Sequence, residues 1–100
     1  MSTIDDLIRS VHEQGASDVF LSTGSPPVVR ANNVNHGTKF PPLTSALLNK
    51  VLENYLSEAG RRSLNETGFA VATRHESDAN LRISAYKVGD DLDISIRLLL

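Results

Sequence analysis

Residues 81–98 read LRISAYKVGDDLDISIRL, two runs of alternating polar and apolar residues on either side of Gly89-Asp90. This dipeptide suits a tight hairpin turn, because glycine at the first central position accepts a positive φ. A turn centred there pairs Val88 with Asp91 and fixes every later pair. One face then carries Lys87–Leu92, Ala85–Ile94, Ile83–Ile96 and Leu81–Leu98, and the other carries Tyr86–Asp93, Ser84–Ser95 and Arg82–Arg97. A slip of one residue would mix these sets, so the sorting supports this register.

The predicted register places the guanidinium groups of Arg82 and Arg97 side by side on the polar face. Like charges directly opposite each other destabilise a sheet by up to about 1 kcal/mol. Three arrangements relieve that repulsion: screening by water and salt, an acidic neighbour between the two side chains, or a bound anion. Two planar forks suit phosphate oxygens, and the residues alone leave all three interpretations open.

The composition is that of one globular domain. The chain has 100 residues, 40% of them hydrophobic, a net charge of −2 and no cysteine. It is long enough for a modest core, and disulfide and thiolate chemistry are excluded. The charge gives no electrostatic case for nucleic acid or acidic membranes. No apolar run approaches the ~20 residues of a bilayer span, and no basic leader precedes an apolar stretch. We expect a single domain over residues 1–100, located in the cytoplasm.

Helical spacing of apolar residues predicts three helices. The first is indicated by Ile4, Leu7, Ile8 and Val11. Gly15 suits its end, and Thr44 is the expected N-cap of the second helix. The apolar stripe of the second helix comprises Leu47, Leu48, Val51, Leu52, Tyr55 and Leu56. A shorter helix is expected at about 58–66.

Short extended segments separate these helices. Strands are expected at 18–23 and 28–31, and Asn32-Asn33 can turn the chain into a weak strand at 34–38. A further strand after Gly68 places Phe69, Val71 and Thr73 on one face. With the hairpin, this order implies an α+β fold: an antiparallel sheet of about five to six strands with helices packed mainly on one face.

No sequence motif supplies a complete catalytic or metal site. The P-loop pattern G-x-x-x-x-G-K-[ST] is absent, so this chain alone does not cradle a nucleoside triphosphate. His12, His36 and His75 have no ligand spacing, and the carboxylates near residue 90 belong to a turn. The serines have no convincing histidine and acid partners. The residues alone indicate an accessory or interaction domain without a metal, and not an enzyme by itself.

Five short motifs are spread over nearly the whole chain. They are GASDVFLS at 15–22, GSPPVVR at 24–30, PLT at 42–44, LRISAY at 81–86 and SIR at 95–97. Together they resemble the opening part of the PilT-type ATPases of twitching pili, a group that also includes assembly and secretion ATPases of type II and type IV systems. Two departures stand out: Phe20 replaces a usual histidine, and Asn32-Asn33 replaces a usual Asp-Gly turn.

This resemblance implies a PAS-like N-terminal domain that precedes a RecA-like ATPase domain in a homohexamer. In such enzymes, arginines on the two matching strands approach the phosphates of nucleotide held mainly by the ATPase domain. Carried over by position, they are Arg82 and Arg97. The implied cofactors are ATP and Mg²⁺ in the parent protein and none in this domain. The implied partners are the ATPase domain, neighbouring subunits and an inner-membrane platform protein, but no nucleic acid.

Two functions of different classes follow. The first is a regulatory and oligomerisation domain of a pilus or secretion motor, which contributes arginines to the nucleotide and couples hydrolysis to domain motion. Its ATPase domain is absent from these 100 residues. Pilus retraction, pilus assembly and secretion all stay open, as does peripheral attachment to the inner membrane. The alternative is a stand-alone PAS-like scaffold that binds a protein or small ligand and plays no part in ATP hydrolysis.

Overall fold

The structure is a computed structural model that describes residues 15–75 and 80–99. In chain order this part contains β1 (Asp18–Ser22), β2 (Val28–Ala31), β3 (Val34–Gly37), α1 (Ser45–Tyr55), α2 (Glu58–Thr67), β4 (Phe69–His75), β5 (Asn80–Val88) and β6 (Asp91–Leu99). The strands form one antiparallel sheet in the order β3-β2-β1-β6-β5-β4. The described part therefore has the predicted α+β fold. The helix predicted around residues 4–11 lies outside it.

The β5–β6 hairpin has the predicted register along its whole length. Val88 lies opposite Asp91, Ile83 opposite Ile96, and the ladder continues to Asn80 opposite Leu99. Gly89 has a φ of +62°, as expected for the first central residue of a turn that glycine favours. A local turn and an alternating pattern were therefore sufficient to define this register.

The β2–β3 hairpin is also formed as the turn residues predict. Asn32 and Asn33 both have positive φ, at 53° and 63°, and they join Ala31 to its partner Val34. Asparagine tolerates this left-handed conformation better than other non-glycine residues, so the pair replaces an Asp-Gly turn without loss of the hairpin.

Both described helices begin at the side chains that the sequence provides as caps. The Thr44 hydroxyl accepts the Leu47 N–H at 3.1 Å, and the Ser57 hydroxyl accepts the Gly60 N–H at 3.1 Å. Helix α2 ends at Gly68, which has a φ of +81°. A Cβ at this position would also lie 3.2 Å from the Lys87 carbonyl oxygen, so glycine fits here on two counts.

The core lies on the face of the sheet that carries Ile83 and Ile96. Both isoleucines are fully buried, as is Leu48 of α1. They belong to one cluster with Leu64 of α2 and Val19 of β1. In the part of the chain that the structure describes, no helix is long and apolar enough to cross a membrane.

Candidate functional site

A row of polar residues crosses the other face of the sheet, with one residue from each strand. Strand pairing places the members directly opposite each other; this polar row consists of Asn35, Arg30, Asp18, Arg97, Arg82 and Thr73. The predicted juxtaposition of Arg82 and Arg97 is thereby confirmed. The row also contains a third arginine and one carboxylate, neither of which the sequence had indicated as part of the site.

A cavity of about 190 Å³ opens over the middle of the polar row. It is lined by Asp18, Arg82, Ser84, Ser95 and Arg97. The two serines lie opposite each other in the next register position of the β5–β6 hairpin. The lining thus offers two guanidinium groups and two hydroxyl groups against one carboxylate. Its net charge of about +1 and its surplus of hydrogen-bond donors favour an anion.

The carboxylate of Asp18 pairs with Arg97. Arg97 Nε donates to Asp18 Oδ1 at 3.2 Å, and the Ser17 hydroxyl donates to Oδ2 at 2.8 Å. The Asp18 side chain is 7% exposed, whereas that of Arg97 is 57% exposed. A buried carboxylate is costly unless it is paired and hydrogen-bonded, and both of its oxygens are bonded here. The acidic neighbour considered from the sequence therefore exists, but it lies on the far side of Arg97 and not between the two arginines.

Arg82 has a different environment. Its guanidinium group makes no hydrogen bond or ion pair with residues 15–75 or 80–99, and the residue is exposed. Its neighbours across the sheet are Arg97 and the uncharged Thr73. The charge of Arg82 is therefore not compensated within the described residues.

Arg30 lies in the polar row but does not line the cavity. Its Nε donates to Asn35 Oδ1 at 3.1 Å, and its guanidinium carbon is 5.3 Å from the centroid of the Phe20 ring. These contacts hold the group on the β2–β3 side of Asp18. The Asp18 carboxylate is consequently bonded to Arg97 rather than shared between two arginines.

An apolar cluster borders the same face at the β4–β5 edge. Phe69 and Tyr86 lie opposite each other with ring centroids 5.0 Å apart, and they are 42% and 47% exposed. Val71 is exposed beside them, while Ala70 of the same strand points into the core. Exposed aromatic residues beside a charged cavity are typical of a surface that another molecule contacts.

The other candidates raised by the sequence remain apart from this cavity. His36 is exposed in β3, and His12 and the side chain of His75 lie outside the described residues. Across residues 15–75 and 80–99, no three histidine or carboxylate side chains are grouped as metal ligands would be.

The sequence alone did not indicate Asp18 as a residue of the site, because its partner Arg97 is distant in sequence. The alternation of Val19 and Leu21 with Asp18 and Phe20 indicates that Asp18 faces away from the core. The contact with Arg97 depends on pairing between β1 and β6, across 79 residues of sequence. A strand pattern defines faces but does not select a distant neighbour.

The fold matches part of two solved ATPase structures. The solved structure of the pilus retraction motor PilT with bound ADP matches 97% of this chain with a TM-score of 0.83 and 27% sequence identity. The Legionella pneumophila ATPase DotB matches 97% with a TM-score of 0.80, and its 16% identity supports likeness of fold alone. The resemblance indicated by the sequence motifs is thus confirmed.

The similarity is confined to part of each relative. The chain spans 29% of the PilT chain and 28% of the DotB chain. No family model matches the sequence. No curated protein matches it either.

Proposed function

We propose that this chain is the N-terminal, PAS-like domain of a hexameric pilus or secretion motor ATPase. In this proposal, residues 1–100 form a single domain that precedes a RecA-like ATPase domain, and the domain has no catalytic activity alone. Its role is to regulate the motor, to form part of the subunit interface and to present Arg82 and Arg97 to nucleotide held elsewhere. The observation that carries the proposal is a cavity with two guanidinium groups on a domain whose fold matches an ADP-bound motor.

The lining of the cavity fits the phosphate end of a nucleotide. Planar guanidinium groups bind phosphate oxygens through parallel N–H donors, and the hydroxyls of Ser84 and Ser95 can add further donors. ATP with Mg²⁺, bound mainly by the ATPase domain, would supply the negative charge. Arg82 and Arg97 would stabilise that charge as it develops, in the manner of arginine fingers.

Contacts of this kind also couple the nucleotide to the position of the domain. The attraction between the two arginines and the phosphates exists only while the phosphates are bound, so its loss favours a different angle between the domains. The expected partners are the ATPase domain, the neighbouring subunits and a platform protein at the inner membrane, with the motor on the cytoplasmic side. The subfamily (retraction, assembly or secretion) stays open.

A scaffold without a role in ATP hydrolysis is the second candidate. The exposed Phe69–Tyr86 pair favours it, because aromatic residues are frequent anchors of protein interfaces. In that case the charge of Arg82 would meet an acidic group of a protein partner. The two candidates differ in whether substitution of Arg82 changes ATP turnover.

The reading frame beyond Leu100 provides the first test. The proposal expects a G-x-x-x-x-G-K-[ST] motif in frame within about 300 residues, since a RecA-like domain needs a phosphate-binding loop. Calorimetry of the 100-residue chain should show no micromolar binding of ATP. A frame without this motif, or micromolar binding by the chain alone, would contradict the proposal.

Turnover of the full-length protein provides the second test. Arg82→Ala should lower kcat at least about tenfold, which corresponds to ~1.4 kcal/mol of transition-state stabilisation. Arg97→Ala should do the same. Arg61→Ala is the matched control, because Arg61 is an exposed arginine of α2 that does not line the cavity. Wild-type kcat in both cavity variants would refute the role of the arginines.

A further inference from the structure

The two arginines of the cavity are not equivalent. Arg97 is tied to a buried carboxylate, whereas Arg82 has no charged partner within the described residues. A pair that served only to attract an anion would gain from two uncompensated charges. The sheet instead combines one guanidinium group bonded to a carboxylate with one that has no such bond among the described residues, and this asymmetry requires an explanation.

The geometry of the contact between Asp18 and Arg97 explains this asymmetry. Of the donors on Arg97, only the Nε–H is bonded to Asp18. The two terminal amino groups of Arg97 make no hydrogen bond with the described residues. The second carboxylate oxygen is bonded to Ser17. A contact through Nε fixes the plane of the guanidinium group while its outer edge, which carries the remaining donors, stays available.

Asp18 also sets the charge of the cavity. Three of four adjacent strands each present an arginine in the polar row, namely Arg30, Arg97 and Arg82, and Asp18 supplies the carboxylate on the fourth. Asp18 lies between Arg30 and Arg97 in that row and offsets one positive charge. The cavity keeps a net charge of about +1, and Arg97 is not repelled out of it by Arg82.

We propose that Asp18 is a positioning residue for the phosphate site: it holds Arg97 so that its outer donors, together with Arg82, form a preorganised cradle. This inference rests on the proposed function and assigns different roles to the two arginines. Arg97 is the half of the cradle that a carboxylate holds in place, and Arg82, which has no ionic partner among residues 15–75 and 80–99, is the half that pairs with the phosphate group. Preorganised donors are the more effective ones, because little reorganisation is needed when charge develops.

The Arg97→Lys variant separates the ion pair with Asp18 from the proposed contact with a phosphate group. A lysine ammonium can pair with Asp18, but it lacks the planar fork that leaves further donors for a phosphate when one edge is bonded to a carboxylate. Arg97→Lys should therefore keep the stability of the domain and still lower kcat of the full-length ATPase about tenfold. A structural salt bridge with no role at the phosphate would instead tolerate lysine in both measurements.

The decisive variants are Asp18→Ala and Asp18→Asn, measured by kcat and KM in the full-length ATPase. Asp18→Ala should lower kcat about three- to tenfold with KM nearly unchanged, because the nucleotide is held elsewhere and only the transition-state contact is misaligned. Asp18→Asn keeps an acceptor oxygen for Nε and should recover part of the loss. In an Arg97→Ala background, Asp18→Ala should lower kcat no further.

Thr44→Ala is the control for stability. It removes the N-cap bond of α1 at a residue that does not line the cavity, and it should lower the Tm of the 100-residue chain by several degrees. Its kcat in the full-length protein should equal that of the wild type. If Asp18→Ala behaves like Thr44→Ala, with lower Tm and unchanged kcat, the positioning role is refuted while the proposed function stands. If Arg82→Ala and Arg97→Ala also keep wild-type kcat, the proposed function itself fails.

Discussion

Each face of the β5–β6 hairpin carries a pair of similar residues, and the two pairs have opposite effects on stability. Ile83 and Ile96 face each other in the core and are fully buried, while the adjacent pair, Arg82 and Arg97, lies on the polar face. Burial of each isoleucine contributes roughly 1.5–3 kcal/mol, whereas the arginine pair costs up to about 1 kcal/mol. The core face therefore outweighs the repulsion on the polar face. A hairpin stabilised on one side can hold a charged pair on the other for a purpose unrelated to folding.

The largest effect on stability is expected from the core pair. Ile96→Ala should lower the free energy of unfolding of the 100-residue chain by about 2–5 kcal/mol, because it removes buried methyl groups and leaves a cavity. Urea denaturation measures this loss. Val88→Ala, at an exposed position of the same hairpin, should change it by less than about 0.5 kcal/mol. Equal effects of the two substitutions would contradict the division between the faces.

An intermediate effect is expected from Arg97→Ala. The substitution leaves the buried Asp18 carboxylate with one hydrogen bond, from Ser17, which should cost about 1–3 kcal/mol. The lower end of that range is expected, because Arg97 is more than half exposed. Replacing Asp18 by alanine as well removes the unpaired charge, so the double variant should be more stable than Arg97→Ala. Thermal unfolding tests this order, and a double variant that is less stable than Arg97→Ala would contradict the explanation.

The smallest effect on stability is expected from Arg82→Ala. This side chain has no charged partner in the described residues, and its removal relieves repulsion with Arg97. The free energy of unfolding should change by less than about 0.5 kcal/mol, with any gain larger in low salt than near ~1 M salt. Denaturation at two ionic strengths measures this. A loss above ~1 kcal/mol would mean that Arg82 has a structural role.

The sequence predicted the local features of the fold but not the contact that makes Arg82 and Arg97 different. The hairpin register, the Asn32-Asn33 turn and the Thr44 cap depend on residues close in sequence, and the structure contains all three. The same local argument placed Arg82 opposite Arg97. The chemistry that makes the arginines unequal could not be predicted in this way, because Asp18 reaches Arg97 through the pairing of β1 with β6.

Strand β4 shows a second limit. Phe69 and Val71 share a face with Thr73 as predicted, but this face is the exposed one, while Ala70 and Ala72 turn towards the core. The cause is the register with β5, which sets Phe69 opposite Tyr86 and Ala72 opposite Ile83. Size and hydrophobicity within one short strand do not identify its buried face when both faces carry apolar residues.

The structure of the full-length protein with a non-hydrolysable ATP analogue tests the central claim most directly. We expect guanidinium nitrogens of Arg82 and Arg97 within about 4 Å of phosphate oxygens, with Arg97 still bonded to Asp18 through Nε. A nucleotide-bound structure in which both guanidinium groups lie more than about 10 Å from every phosphate, beyond the screening length of physiological salt, would contradict the account.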